Sequence, residues 1–221
     1  MTVSREFESV FLVADLSGYS ALTETHGSIS AAKIVTRYVE MVKEALHPDT
    51  RLAERVGDEV LVVGADALSV LRTAIALRDK VEEEPYFLTV HAGIHAGSVL
   101  EQDGQYFGTA LNLASRVTSR AWGRQILCTD KVVDLAGNPE DIDFRELGVT
   151  YFKNITEPVA VFEVLVKHSR GETKVIDPVC RMQVVPDKAP AKLPFEDKTY
   201  FFCSFDCAKA FAENPDRYGG Q

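Results

Sequence analysis

A short apolar run that ends on a carboxylate, ESVFLVAD at residues 8–15, is followed at once by LSGYS, and this junction constrains the fold more than any other stretch. A run of this length, bounded by turn residues, reads as a buried strand, so Asp15 stands at a strand terminus. Gly18 lets the backbone turn. The amides of Ser17, Gly18, Tyr19 and Ser20 then come free where a helix begins, which favours a phosphate.

The segments that follow alternate in period. Apolar residues at 34, 35, 38, 39, 42 and 46 predict a helix over 29–46 that stops at His47-Pro48. RLAERV and VLVVGA, joined by Gly57, Asp58 and Glu59, predict a hairpin with Asp58 at its tip. A second helix is expected over 66–84, a strand over 87–95, and a hairpin partner for that strand over 99–105. Further strands are expected at 125–129, 144–147 and 160–166, with a short helix at 131–136. Strand, helix, hairpin, helix, strand is the order of an α+β, ferredoxin-like βαββαβ core, here with extra C-terminal strands.

If the hairpin packs beside the first strand, Asp15 and Asp58 approach each other. Singly, each is an ordinary cap or turn residue. Together, two carboxylates repel unless they hold a cation, and hard oxygen ligands beside a phosphate site suit Mg²⁺ or Mn²⁺.

Residues 105–120, QYFGTALNLASRVTSR, place Asn112 and Arg116 one helical turn apart. At i and i+4 both leave the same helix face, while Leu111, Ala114, Thr118 and Ala121 mark a separate, largely apolar face. An amide beside a forked cation is equipment for stabilising charge on a reacting phosphate. His91 and His95 share one face of a strand, but four strand residues span about 13 Å, too far for one metal, so both are expected in structural hydrogen bonds. Cys128 is expected in the core.

The 221 residues allow one domain of ordinary size and a small second one, and 46% hydrophobic with 26% charged residues is a globular composition. The most hydrophobic stretch, 60–71, is broken by Gly64 and Asp66, and MTVSREFESV lacks the apolar core of a signal peptide; a cytoplasmic protein without membrane association is expected. A net charge of -9 argues against nucleic acid and anionic membranes as partners. Polar, aperiodic HSRGETKV reads as a linker, giving a first domain over 1–166, a linker over 167–175 and a module over 176–218. Three of the four cysteines, Cys180, Cys203 and Cys207, cluster in that module, which suggests metal before disulfide.

Residues 8–166 resemble the class III adenylyl/guanylyl cyclase catalytic domain. FLVADLSGYS looks like its strand-Asp-turn motif, RVGDEV like its second metal motif, VHAGIHAGSV like its Gly-Ile-His-x-Gly strand, YFGTALNLASRV like its Asn-x-x-x-Arg helix, and ELGVTYFKNITEPVAVFEV like its closing segment. The resemblance implies that Asp15 and Asp58, with Leu16 counted in the metal set, hold two Mg²⁺ or Mn²⁺ ions, and that Asn112 and Arg116 stabilise the transition state. The ribose 3′-hydroxyl of a nucleoside triphosphate attacks the α-phosphorus and releases pyrophosphate. In this family the carboxylates and the Asn/Arg pair of one site come from two catalytic domains, which implies a homodimer with two sites. Glu54 replaces the Lys of typical adenylyl enzymes four residues before the second metal Asp, and a carboxylate suits guanine N1-H and its amino group. Gln105, seven before the Asn, matches neither the adenylyl Asp nor the small guanylyl residue; the pair leans to GTP over ATP. Lys153 is the candidate for the family's C-terminal phosphate-binding cation.

DPVCRM and KTYFFCSFDCAKAFAENPDRY resemble the YHS domain, a small module related to the TRASH metal-binding group. The resemblance and the C-x₃-C spacing at a strand-to-helix junction point to three thiolates on a soft metal such as Zn²⁺ or Cu⁺. Arg181 stands where such modules usually have Gly. The leading expectation is a homodimeric nucleotidyl cyclase with a metal- or redox-responsive C-terminal module. The alternatives are a slow, nucleotide-binding sensor or scaffold on the same fold, and a YHS part that handles metal alone.

Overall fold

The computed structural model describes residues 4–103, 105–166 and 173–219. Its frame is β1 (Ser4–Ser17), whose alternate residues serve two cores. Val10, Leu12, Ala14 and Leu16 pack on one face, and Phe11 and Val13 on the other. Burial on both faces is why this strand is continuously apolar instead of alternating.

The chain continues through α1 (Tyr19–Ala45), the hairpin β2 (Thr50–Val56) and β3 (Glu59–Gly64), α2 (Ala67–Glu83) and β4 (Thr89–Gln102). Then come β5 (Gln105–Phe107), α3 (Thr109–Thr118), β6 (Ile126–Thr129), α4 (Asp130–Ala136), β7 (Ile142–Thr150) and β8 (Val159–Val166). The sheet runs β2-β3-β1-β4-β6-β8-β7, with β5 paired to β4. Its first four members are the expected βαββαβ core, β1 lying antiparallel between β3 and β4. Helices α1, α2 and α4 cover one face, and α3 covers the other.

Three local expectations change. The first helix begins at Tyr19, ten residues before the periodic stretch, and is interrupted at Gly27 (φ 77°, ψ 165°). β4 does not turn back near residue 97: it pairs with β1 along its whole length, from Ser17↔Thr89 to Ser4↔Gln102. Its glycines admit α3 instead. A β-carbon at Gly93 would lie 2.3 Å from the Thr118 amide, and one at Gly97 2.9 Å from Ala110 Cβ. The buried face of α3 is Ala110, Leu113, Ala114, Val117 and Thr118, with Leu111 and Ala121 only half-buried.

The C-terminal module consists of β9 (Val175–Ile176), β10 (Gln183–Val184), a 3₁₀ turn at Pro186–Lys188, β11 (Ala191–Phe195), β12 (Lys198–Phe202), α5 (Phe205–Glu213) and α6 (Pro215–Gly219). Its small core gathers Cys180, Phe202, Cys207 and Phe211, the last with ring centroids 4.7 Å from Tyr200 and 5.3 Å from Phe202. It docks on the larger unit through Gln183, which is 1% exposed. The Gln183 amide donates to the Phe87 carbonyl at 2.8 Å, and its side chain accepts from Arg124 Nη2 at 2.9 Å. Residues 167–172 of the expected linker lie outside the described residues. Among the described residues, no helix is long and apolar enough to cross a membrane.

Candidate active site and cysteine centre

β1 ends on Asp15, and the β2–β3 turn carries Asp58 to the same end of the sheet because β3 pairs with β1 up to Ala14↔Val60. Gly57 at φ 63° makes that turn possible. Burial, and then the charge and side chain of Asp58, push the Asp15 carboxyl up to about 7, while the Leu16 amide opposes the rise by donating to it. Leu16 otherwise gives its side chain to the core. Among the described residues no Lys or Arg pairs with either carboxylate. Two converging carboxylates, one driven upward by the other, with no protein cation between them, fit hard divalent ions such as Mg²⁺ or Mn²⁺.

His91 is the neighbour that the sequence did not place. It faces Asp15 across the β1–β4 ladder, with Nε2 3.8 Å from the carboxylate and Nδ1 2.9 Å from Ser17 Oγ. Burial holds it below the ordinary histidine range. A signal was available in the register: Asp15 and His91 pair once β1 and β4 are known to be antiparallel. Below lies the fully buried Tyr38, whose hydroxyl has no hydrogen-bond partner among the described residues and is raised by burial and by the charges of Asp15, Asp58 and Glu59. His95 does not join this cluster; its Nδ1 lies 2.8 Å from Thr129 Oγ1, in the structural role expected.

Beyond Asp15, Ser17 to Ser20 form the entry to α1. Gly18 caps the helix at φ 92° and no side chain caps the helix start, so its first amides carry no side-chain acceptor. Arg181 of the C-terminal module lies against Gly18.

Asn112 is exposed and Arg116 half-buried on α3, and neither side chain has a hydrogen bond or ion pair among the described residues. α3 packs on the sheet face opposite α1 and α2. Glu54 is half-buried beside a bulge in β2, and Gln105 is exposed at the start of β5. Arg51 of β2 lies 5.2 Å over the Tyr106 ring of β5 and 3.7 Å from Glu101 of β4. Lys153 is exposed in the β7–β8 connection.

The three cysteines of the module come together. Cys180 Sγ is 3.3 Å and Cys207 Sγ 3.7 Å from Cys203 Sγ. The side chains of Cys180 and Cys203 beside it hold the Cys207 thiol far below the usual range, while both of theirs are raised. A fourth donor joins from the larger unit: His26 Nε2 is 3.7 Å from Cys203 Sγ and 3.6 Å from Cys207 Sγ.

Residues 175–221 match the YHS domain. An uncharacterized protein of Mycobacterium tuberculosis (strain ATCC 25618 / H37Rv) is 32% identical over 152 residues, covering 68% of this chain and 39% of its own. A pH-sensitive adenylate cyclase of Mycobacterium tuberculosis (strain CDC 1551 / Oshkosh) is 28% identical over 164 residues, 73% of this chain and 40% of its own. The chain thus spans about two fifths of these relatives' length. Among solved structures, an adenylate/guanylate cyclase/hydrolase from Silicibacter pomeroyi superposes with a TM-score of 0.63 at 26% identity, covering 74% of this chain and 99% of that one. The sheet order, the strand-end carboxylates and these likenesses agree: the chain joins a domain with the fold of the class III adenylate/guanylate cyclase catalytic domain to a C-terminal YHS domain.

Proposed function

We propose that the chain is a cytoplasmic nucleotidyl cyclase that converts a purine nucleoside triphosphate, GTP in preference to ATP, into a 3′,5′-cyclic nucleotide and pyrophosphate. Residues 1–166 form the catalytic domain, 167–175 the connection, and 176–218 a metal- or redox-responsive module. The observation that carries the reading is the convergence of Asp15 and Asp58, without a cation from the described residues, beside the helix start at Ser17–Ser20. Two Mg²⁺ or Mn²⁺ ions, when bound, supply activation of the 3′-hydroxyl and neutralisation of the triphosphate. Asp15 and Asp58 hold them, with Leu16 at the edge of the set, and the amides of Ser17, Gly18, Tyr19 and Ser20 receive phosphate oxygens.

Asn112 and Arg116 act on the substrate held by a different molecule's carboxylates. They stand exposed and half-buried on α3 without partners among the described residues, which suits a homodimer in which each copy completes the other's site. Asn112 orients the ribose, and Arg116 neutralises charge developing at the transferring phosphoryl group. Lys153 adds a second cation in this reading. Glu54 accepts from guanine N1-H and the amino group, and Gln105 donates to O6.

The test is turnover of the purified chain with Mn²⁺ and ATP, GTP, CTP or UTP in parallel, beside Asp58→Ala. One cyclic nucleotide, lost in the variant, supports the enzyme; ATP as the preferred substrate would overturn the base assignment. Because Gln105 beside Glu54 matches neither the adenylyl Asp nor the small guanylyl residue, a second reading stands: a nucleotide-binding sensor or scaffold. A dimer that binds nucleotide and turns over none of the four selects it.

A further inference from the structure

His26, Cys180, Cys203 and Cys207 bring their ligand atoms within 4.8 Å of one another, although His26 belongs to α1 of the cyclase-fold domain and the cysteines to the YHS domain. A tetrahedral Zn²⁺ with Zn–S near 2.3 Å and Zn–N near 2.05 Å sets S···S edges of about 3.8 Å and S···N edges of about 3.5 Å. The Cys203–Cys207 edge is 3.7 Å, and the two edges to His26 are 3.7 and 3.6 Å. Cys180 to Cys203, at 3.3 Å, is slightly inside that spacing and far outside the roughly 2.04 Å of a disulfide. The two remaining edges, from Cys180 to Cys207 and to His26, lie within 4.8 Å, so three thiols and one imidazole nitrogen are gathered around one position.

The surrounding structure holds each donor in place. The fully buried Asp177 carboxylate accepts from the amides of Val179 at 2.9 Å and Cys203 at 2.8 Å, tying the two cysteine-bearing loops together. Ser204 caps α5 by accepting from the Cys207 amide at 3.2 Å, which sets that thiol in the first turn of a helix, where a thiolate is favoured. His26 is the last residue before the break at Gly27, two turns from Gly18 along the same helix.

We propose that His26 is the fourth ligand of one zinc-type S₃N site, and that the metal thereby bolts the YHS domain to α1 with Arg181 seated on Gly18. Metal occupancy then sets the position of the Ser17–Ser20 turn. That last link rests on the reading of this turn as the phosphate site; the ligand set does not.

The full chain, stripped of metal under reducing conditions, is titrated with Zn²⁺ against a chromophoric chelator and separately with Co²⁺, whose absorption reports ligand number and type. One tight equivalent per chain is expected, with the thiolate charge-transfer and intense d–d bands of a tetrahedral ion. His26→Ala should weaken Zn²⁺ binding by at least about tenfold and shift the d–d bands. His26→Cys should bind tightly again, with stronger thiolate charge transfer, which separates ligand loss from a folding defect. An unchanged affinity and unchanged Co²⁺ spectrum in His26→Ala would overturn the proposal, leaving three thiolates and a ligand from elsewhere. His26-dependent binding in a chain that cyclises no nucleotide still supports the site and rejects only the cyclase reading.

Discussion

Gly18 leaves open the space that the Arg181 stem fills: a β-carbon on Gly18 would lie 2.3 Å from Arg181 Cβ and 2.7 Å from its Cγ. Both residues are left-handed, Gly18 at φ 92° and Arg181 at φ 70°. Arginine holds there a conformation that glycine adopts more readily, and its stem covers the start of α1. Gly18→Ala should therefore cost more than the roughly 1–2 kcal/mol of a left-handed alanine, and Arg181→Gly should return the excess. A double-mutant cycle in urea denaturation reads this; simple additivity would mean that the two residues do not press on each other.

The rise of Asp15 to about 7 predicts how the sheet-end carboxylates take up metal. Below that pH a cation must displace a proton. Mn²⁺ affinity should climb by up to about tenfold per pH unit until pH 7 and then level off, and isothermal titration across pH 5.5–8.5 should release about one proton on the rising limb only.

Stability against acid should carry the mark of His95, which burial, followed by the charge of Lys131, holds down to about 4. A histidine whose folded value lies below its unfolded value stabilises the fold above about pH 6.5 and loses that contribution as pH falls toward 4. His95→Gln should flatten the thermal midpoint over that interval while lowering it at pH 7.5. An equally steep acid limb in the variant would assign the loss to other groups.

If sites are completed between copies, Asp58→Ala and Arg116→Ala should each abolish turnover, and mixing the two should recover about a quarter of the wild-type rate, since half of the reassorted dimers carry one intact site of two. Recovery absent from mixed samples that exchange subunits would place both sets within one chain.

Gln183 should be a costly polar residue of the docking surface to remove. Its side chain accepts from Arg124 at 2.9 Å and donates to the carbonyls of Val81 and Leu88, each at 3.3 Å. Gln183→Ala leaves the buried Val81 and Leu88 carbonyls and the half-exposed Arg124 without it, a loss of about 1–3 kcal/mol in denaturant unfolding. No change would mean that the docking surface is held by other contacts.

The carboxylate end of the sheet was legible because its signals are local: an apolar run stopping at Asp15 and a turn centred on Asp58. The core order followed from the alternation of periods. β4 was not legible as one strand, since Gly93 and Gly97 look like turn residues until α3 is set against them. The buried face of α3 likewise came out rotated, because Leu111 turns toward the edge of the second core instead of into it. His26 carried no signal at all. Its sulfur neighbours are 177 and 181 residues away, and only the docking of the two domains brings them together.

The break at Gly27 decides how far a pull on His26 is felt. Tyr19 to His26 and the remainder of α1 do not form one unbroken rod. The remainder is anchored by Ala31, Val35, Tyr38, Met41, Val42 and Ala45, whereas the short lead segment has Leu22 as its one fully buried apolar anchor. Force applied at His26 is therefore taken up at the break, and its leverage falls on the eight residues that begin beside Gly18, leaving the long arm of the helix and the sheet beneath it at rest.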